Sequence, residues 1–286
     1  MKKAFLLIAV FLITSILPRL ASAQDSAEQI DYPWEKFSVS AGVFISNLDS
    51  SVRYGTSIGL DINVEDALGM KGDQTVFRLD SVWRFTENRR HRFDLSWFSF
   101  HRNASRILGD DITIEDPRDP DAPPIVIPAE TLVSSVFDWD IFKVNYSYSF
   151  FQDDRVDVAG QVGVFIMPVD LELSVSGIFE ERAEVDIMAP LPTLGARMDF
   201  AITPKWMFRT SGEYFYLKYD TFKGFLLHSR AAIEYNPWER WGFGLGIEGF
   251  RANVKSREED WPGIDLRGEV EMSYVGLQLY VKYFFQ

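Results

Sequence analysis

Over most of its length the chain alternates apolar and polar residues with a period of two, in runs of about ten positions separated by turn residues, which is how an outer-membrane β-barrel is written in sequence. In the run from 75 to 85, Thr75, Phe77, Leu79, Ser81, Trp83 and Phe85 share one face, and Arg78, Asp80 and Arg84 share the other. From 206 to 216, Trp206, Phe208, Thr210, Gly212, Tyr214 and Tyr216 oppose Arg209, Ser211 and Glu213. From 225 to 235, Phe225, Leu227, Ser229, Ala231, Ile233 and Tyr235 oppose Leu226, His228, Arg230 and Glu234. The same reading predicts strands near 91–106, 134–151, 155–172, 189–203, 241–255 and 269–285. Two further alternating segments, 37–45 and 52–64, are out of phase across Asn47-Leu48-Asp49-Ser50. A bulge inside one long first strand reconciles them and gives ten strands, with eight or twelve as alternatives.

The connections alternate in length. Thr86-Glu87-Asn88-Arg89-Arg90, Gln152-Asp153-Asp154, Thr203-Pro204-Lys205 and Asn236-Pro237-Trp238-Glu239-Arg240 are short, while those between them are longer. That asymmetry separates periplasmic turns from extracellular loops. Trp83, Trp97, Trp206, Trp238 and Trp241 then make a lower aromatic girdle. In the acidic, Pro-rich insert from Gly109 to Pro128, Ile112 and Ile114 alternate toward Ile125 and Ile127, the pattern of an extended hairpin.

The N-terminus changes the compartment. Lys2 and Lys3 precede an apolar stretch from Ala4 to Leu17, and Ala21-Ser22-Ala23 is a small-x-small cleavage site. The expected division is a signal peptide at 1–23, a short periplasmic segment at 24–35 and an all-β, closed antiparallel transmembrane barrel at 36–286, in the outer membrane. Composition agrees: Phe, Tyr and Trp make up 15% of the residues and Cys is absent, so thiol chemistry is excluded. Cleavage removes Lys2, Lys3 and Arg19 but no carboxylate, taking the net charge from -13 to -16. Such a chain repels nucleic acid.

With the charged face inward, the lumen receives Arg78, Arg84, Lys143, Arg197, Arg209, Arg230 and Lys282, opposed by Asp80, Asp94, Asp157, Asp199, Glu213, Glu234 and Glu248. Near-balance is what a narrow, salt-bridged interior requires. His228 is expected within this network, with Ser229 on the opposite face. His91 reads as a solvated turn residue, and His101 lies near the top of its strand without a persuasive Ser105 dyad. No catalytic residue, metal site or cofactor is assigned: Glu258-Glu259-Asp260 reads as solvated charge, Glu65-Asp66-Ala67-Leu68-Gly69 as an acidic turn, and Gly242, Gly244 and Gly246 as the crowded inner face of a strand. At the C-terminus, Tyr274, Gly276, Leu279, Val281 and Phe285 resemble the aromatic-terminated signal read by the outer-membrane assembly machinery, although Gln286 follows.

Glu65-Asp66-Ala67-Leu68-Gly69, Phe77-Arg78-Leu79-Asp80-Ser81-Val82-Trp83-Arg84-Phe85 and Arg90-His91-Arg92-Phe93-Asp94-Leu95-Ser96-Trp97-Phe98 resemble a group of proteobacterial outer-membrane β-barrel proteins without an assigned activity. Ala189-Pro190-Leu191-Pro192-Thr193-Leu194-Gly195 extends the resemblance in looser form. It implies a fold and a location. Outer-membrane lipid, lipopolysaccharide and the assembly machinery are the expected partners. Three roles stay open: a structural or interaction barrel, a narrow channel for a small solute, and, third, a lipid- or peptide-modifying hydrolase.

Overall fold

The computed structural model describes residues 33–54, 61–63, 69–107, 109, 111–114, 125–175, 182–219, 222–256 and 268–286. The expected signal peptide and the acidic stretches Glu65-Asp66-Ala67-Leu68 and Glu258-Glu259-Asp260 lie outside the described residues. In chain order the strands are β1 (Phe37–Tyr54), β2 (Asp61–Asn63), β3 (Asp73–Arg84), β4 (His91–Ile107), β5 (Ile112–Ile114), β6 (Ile125–Ile127), β7 (Leu132–Gln152), β8 (Val156–Val175), β9 (Arg182–Ala201), β10 (Trp206–Tyr219), β11 (Phe222–Tyr235), β12 (Trp241–Ser256) and β13 (Gly268–Phe285). Ten of them build the wall, in the order β1, β3, β4, β7, β8, β9, β10, β11, β12, β13. β13 returns to β1 from Phe37↔Phe285 to Tyr54↔Gly268, so the barrel closes. Closure is what lets a sheet lie in lipid, where an unpaired edge is costly. β5 and β6 form a separate hairpin with Ile112 opposite Ile127 and Ile114 opposite Ile125.

The first strand differs from the sequence reading. β1 pairs with β13 without any register shift across Asn47-Leu48-Asp49-Ser50, so there is no bulge there. Nor is 37–64 one strand, because Asp61–Asn63 turns back as β2 against Ser51–Arg53. The change of phase has another cause. Leu48 and Ser50 stay buried, on the inner face with Ser46, whereas Asn47 and Asp49 point outward where the strand has risen out of the lipid. An irregularity does occur elsewhere, between Ser149 and Phe151 where β7 meets β8.

The same inversion marks β13. Its outward Val275, Leu277, Leu279 and Val281 are 40–62% exposed, while inward Gln278 and Lys282 are 1–2% exposed. Above Val275 the inward residues become Val270, Met272 and Tyr274, all buried, and the outward ones Glu269, Glu271 and Ser273. The lower wall therefore turns apolar side chains to lipid, and the upper wall turns them to its own interior.

The upper wall is split. β4 pairs with β3 only from Arg92 to Phe98, and β10 with β9 only from Met207 to Tyr214, although all four strands continue upward. Above those points β4, β7, β8 and β9 form one sheet, facing a second made of β3, β1, β13, β12, β11 and β10. Side chains from both meet as in a β-sandwich. At the other end, short turns join the strands. In one of them the Asp153 carboxylate accepts backbone N–H groups of Arg155 (2.8 Å) and Val156 (2.7 Å), which hold its pKa below the ordinary aspartate value.

Small residues let aromatic rings cross the inner face. A Cβ on Gly244 would lie 2.0 Å from the Tyr280 ring, whose hydroxyl donates to Glu234 Oε1 at 2.9 Å and so cannot simply move aside. Gly244→Val is expected to lower stability by about 1–3 kcal/mol, the usual cost of overpacking, read as the urea midpoint of the heat-modifiable gel form.

Candidate functional site

The lumen is occupied from bottom to top. At the short-turn end the segment before β1 folds into the mouth: Trp34 is fully buried, its indole N–H donates to the Asp153 carbonyl at 3.0 Å, and Arg89 donates to the Trp34 carbonyl. Glu35 follows it inward. Arg209 pairs with Glu35 at 2.5 Å and with Glu234 at 3.1 Å, and Arg84 donates to the Glu35 carbonyl at 3.1 Å. Glu35 precedes the first alternating run, so no periodicity pointed to it.

Above this plug lies a tier of charges carried by the inward positions of six strands. Asp199 accepts from Arg84 (2.9 Å), Arg92 (2.7 Å) and Arg197 (3.4 Å). Arg92 also pairs with Asp94, Arg197 with Asp157 at 2.9 Å, and Lys282 with Glu234. Arg92 is two residues from Asp94 on β4, and the sequence carried that signal in its parity. A second tier follows. Arg78 joins Asp80 (3.0 Å) and Glu248 (2.7 Å), and Lys143 joins Glu213 at 2.6 Å. His228 lies between two carboxylates, 2.5 Å from Glu213 by Nδ1 and 3.1 Å from Glu248 by Nε2. Arg230 reaches Asp80 at 3.8 Å and donates to Gln278 at 2.7 Å. Between the tiers is a polar cavity of about 50 Å³, bounded by Ser96, Gln161, Arg209, Arg230, Ala232 and Tyr280 among others. That volume suits a few waters.

The upper half is closed by rings. Phe44 lies 5.5 Å from both Phe98 and Tyr274, Phe100 lies 5.5 Å from Trp139, and Phe250 stacks on Tyr274 at 5.1 Å. Phe165 and Phe137 complete a layer of fully buried aromatics drawn from both upper sheets. The Tyr274 hydroxyl donates to Glu248 Oε1 at 2.6 Å, joining this layer to the charges beneath. Periodicity did not separate this layer from the charged lumen, because both occupy the same inward parity.

The remaining sequence candidates are dispersed. Tyr274 points inward, Gly276 lies beneath the Phe44 ring, and Leu279, Val281 and Phe285 are 40–50% exposed on the outer wall. His91 is not a solvated turn residue: it begins β4, half-buried, with Nδ1 2.7 Å from the Tyr146 hydroxyl and its ring among Phe85, Tyr146 and Tyr148. His101 sits outside, its Nδ1 3.3 Å from Ser99 Oγ and not beside Ser105. Trp83, Trp206, Trp238 and Trp241 are exposed near the short turns, but Trp97 lies higher, opposite Phe142.

Among known proteins, no family model matches the chain and no curated sequence does. Solved structures do. The outer membrane protease OmpT of Escherichia coli is similar over 92% of this chain and all of its own, with a TM-score of 0.51 and 8% identity. OprG of Pseudomonas aeruginosa covers 90% of this chain and all of its own (TM-score 0.35, 10% identity), and the toluene transporter TodX of P. putida 90% and 94% (TM-score 0.35, 8% identity). At 8% identity the first likeness is one of fold. Together with the apolar outer band, it makes this chain an integral β-barrel of the outer membrane.

Because Asp199 answers three buried guanidinium groups, Asp199→Asn is expected to cost about 3–5 kcal/mol, whereas Glu271→Gln, which breaks an exposed pair with Arg251, should cost under about 1 kcal/mol. Parallel urea titrations in detergent micelles would check both.

Proposed function

We propose that the protein is a sealed, non-conducting barrel with a structural or interaction role at the cell surface. The observation that carries this reading is the double closure of the lumen. A solute would have to displace the Trp34–Glu35 plug and its ion-paired tiers, then separate the rings around Phe44, Trp139, Phe250 and Tyr274. Both barriers are built into the strands or bonded to them. The charges are paired with one another, whereas a selective pore presents charge to water. The acidic loops read from the sequence would supply the surface that partners meet, and the outward Leu279, Val281 and Phe285 the face offered to the assembly machinery.

A narrow channel is the competing reading. Planar bilayers distinguish them: insertion of the refolded protein without conductance steps is the expected result, and stable single-channel steps would overturn the proposal. Since the two closures lie at different heights of the lumen, Trp34→Ala combined with Glu35→Ala should also insert without steps, the aromatic layer sufficing alone.

A further inference from the structure

The separation of β9 from β10 has a cause that is visible in the sequence. Ala201 N–H donates to the Arg155 carbonyl on the β8 side, and Ile202 N–H to Trp206 on the β10 side, so even-numbered residues of β9 address β10. The register ends with Leu194 opposite Tyr214. Continued, it would set Pro192 against Tyr216 and Pro190 against Lys218. Proline has no N–H, so two successive rungs lose a donor, while pairing to β8 passes Pro192↔Val164 and Pro190↔Ile166 without interruption.

The resulting slit lies at the upper edge of the lipid-facing band. Leu194, Tyr214 and Tyr216 flank it with half or more of their surface exposed. Behind it stand apolar side chains: buried Leu191 and Phe165, and partly buried Phe215 and Leu217. Immediately above, Lys218 and Lys223 are exposed and directly opposite one another in the β10–β11 register. Like charges so placed repel, and in a chain of net charge -13 they form a cationic point beside an apolar opening. A phosphate at headgroup height relieves that repulsion, and an apolar chain matches the opening below it.

We propose that this slit binds an anionic lipid of the outer leaflet, its phosphate between Lys218 and Lys223 and one acyl chain inserted between β9 and β10 against Leu191, Phe215 and Leu217. The site is independent of whether the lumen conducts.

Two measurements test it. The chain has no cysteine, so paired thiols report strand separation cleanly. Thr193→Cys with Phe215→Cys, across the slit, should resist oxidation to a disulfide, while Ala201→Cys with Met207→Cys, in the paired region, should cross-link. Equal cross-linking of both pairs would show a closed wall and overturn the slit. Second, the full-length protein in vesicles of phosphatidylglycerol carrying a diazirine near the acyl terminus should be photolabelled at Leu191, Phe215 or Leu217. Labelling confined to Leu194, Tyr214 and Tyr216 would overturn insertion. Diazirine phosphatidylcholine should label the inner positions less, and Lys218→Gln with Lys223→Gln should abolish that preference; equal labelling by both lipids would overturn the headgroup assignment. Pro190→Val with Pro192→Val restores the donors, and loss of inner labelling is expected.

Discussion

The structure depends on one constraint: its wall meets two solvents. Where lipid surrounds it, apolar side chains are stable outside and polar groups must be satisfied within, so Leu277, Leu279 and Val281 face out and Gln278, Tyr280 and Lys282 face in. Where water surrounds it, the same strands reverse and become the two sheets of a sandwich. The reversal needs no bulge or turn. It is written residue by residue, and β13 accomplishes it around Val275 and Gly276.

That constraint decides what fills the interior. Below, cations and carboxylates excluded from lipid are buried, and burial is tolerable because partners lie within reach on facing strands. Above, aromatic rings excluded from water pack across the gap between the sheets, at centroid separations of 5.5–5.9 Å. Tyr274 belongs to both, as a ring packed on Phe250 and a hydroxyl bonded to Glu248. The two fillings thus support one another across the lumen they share.

The fold was legible in the sequence because lipid enforces strict alternation. The runs around Trp83, Tyr214 and Ile233 fixed strand faces, and the short connectors fixed direction. What stayed hidden follows from the same physics. Asn47 and Asp49 looked like a break in phase because outward polarity is expected in water and not in lipid. Phe44, Phe98 and Trp139 read in sequence as ordinary strand positions and not as a layer, since a strand's parity says which face a residue occupies and not which residues meet across a barrel. Glu35 lies outside any periodic run, and its place is set by Arg209 and Arg84, far away in sequence.

Solvent access to the cavity between the tiers tests the central claim most directly. Ala232 is 4% exposed and borders that cavity, and Ala232→Cys would be the chain's one thiol. The folded protein, reconstituted in vesicles, would be treated with a charged, membrane-impermeant thiol reagent from each side in turn. A closed lumen predicts no modification from either side until the protein is unfolded. Rapid modification in the folded state, from either side, would contradict it.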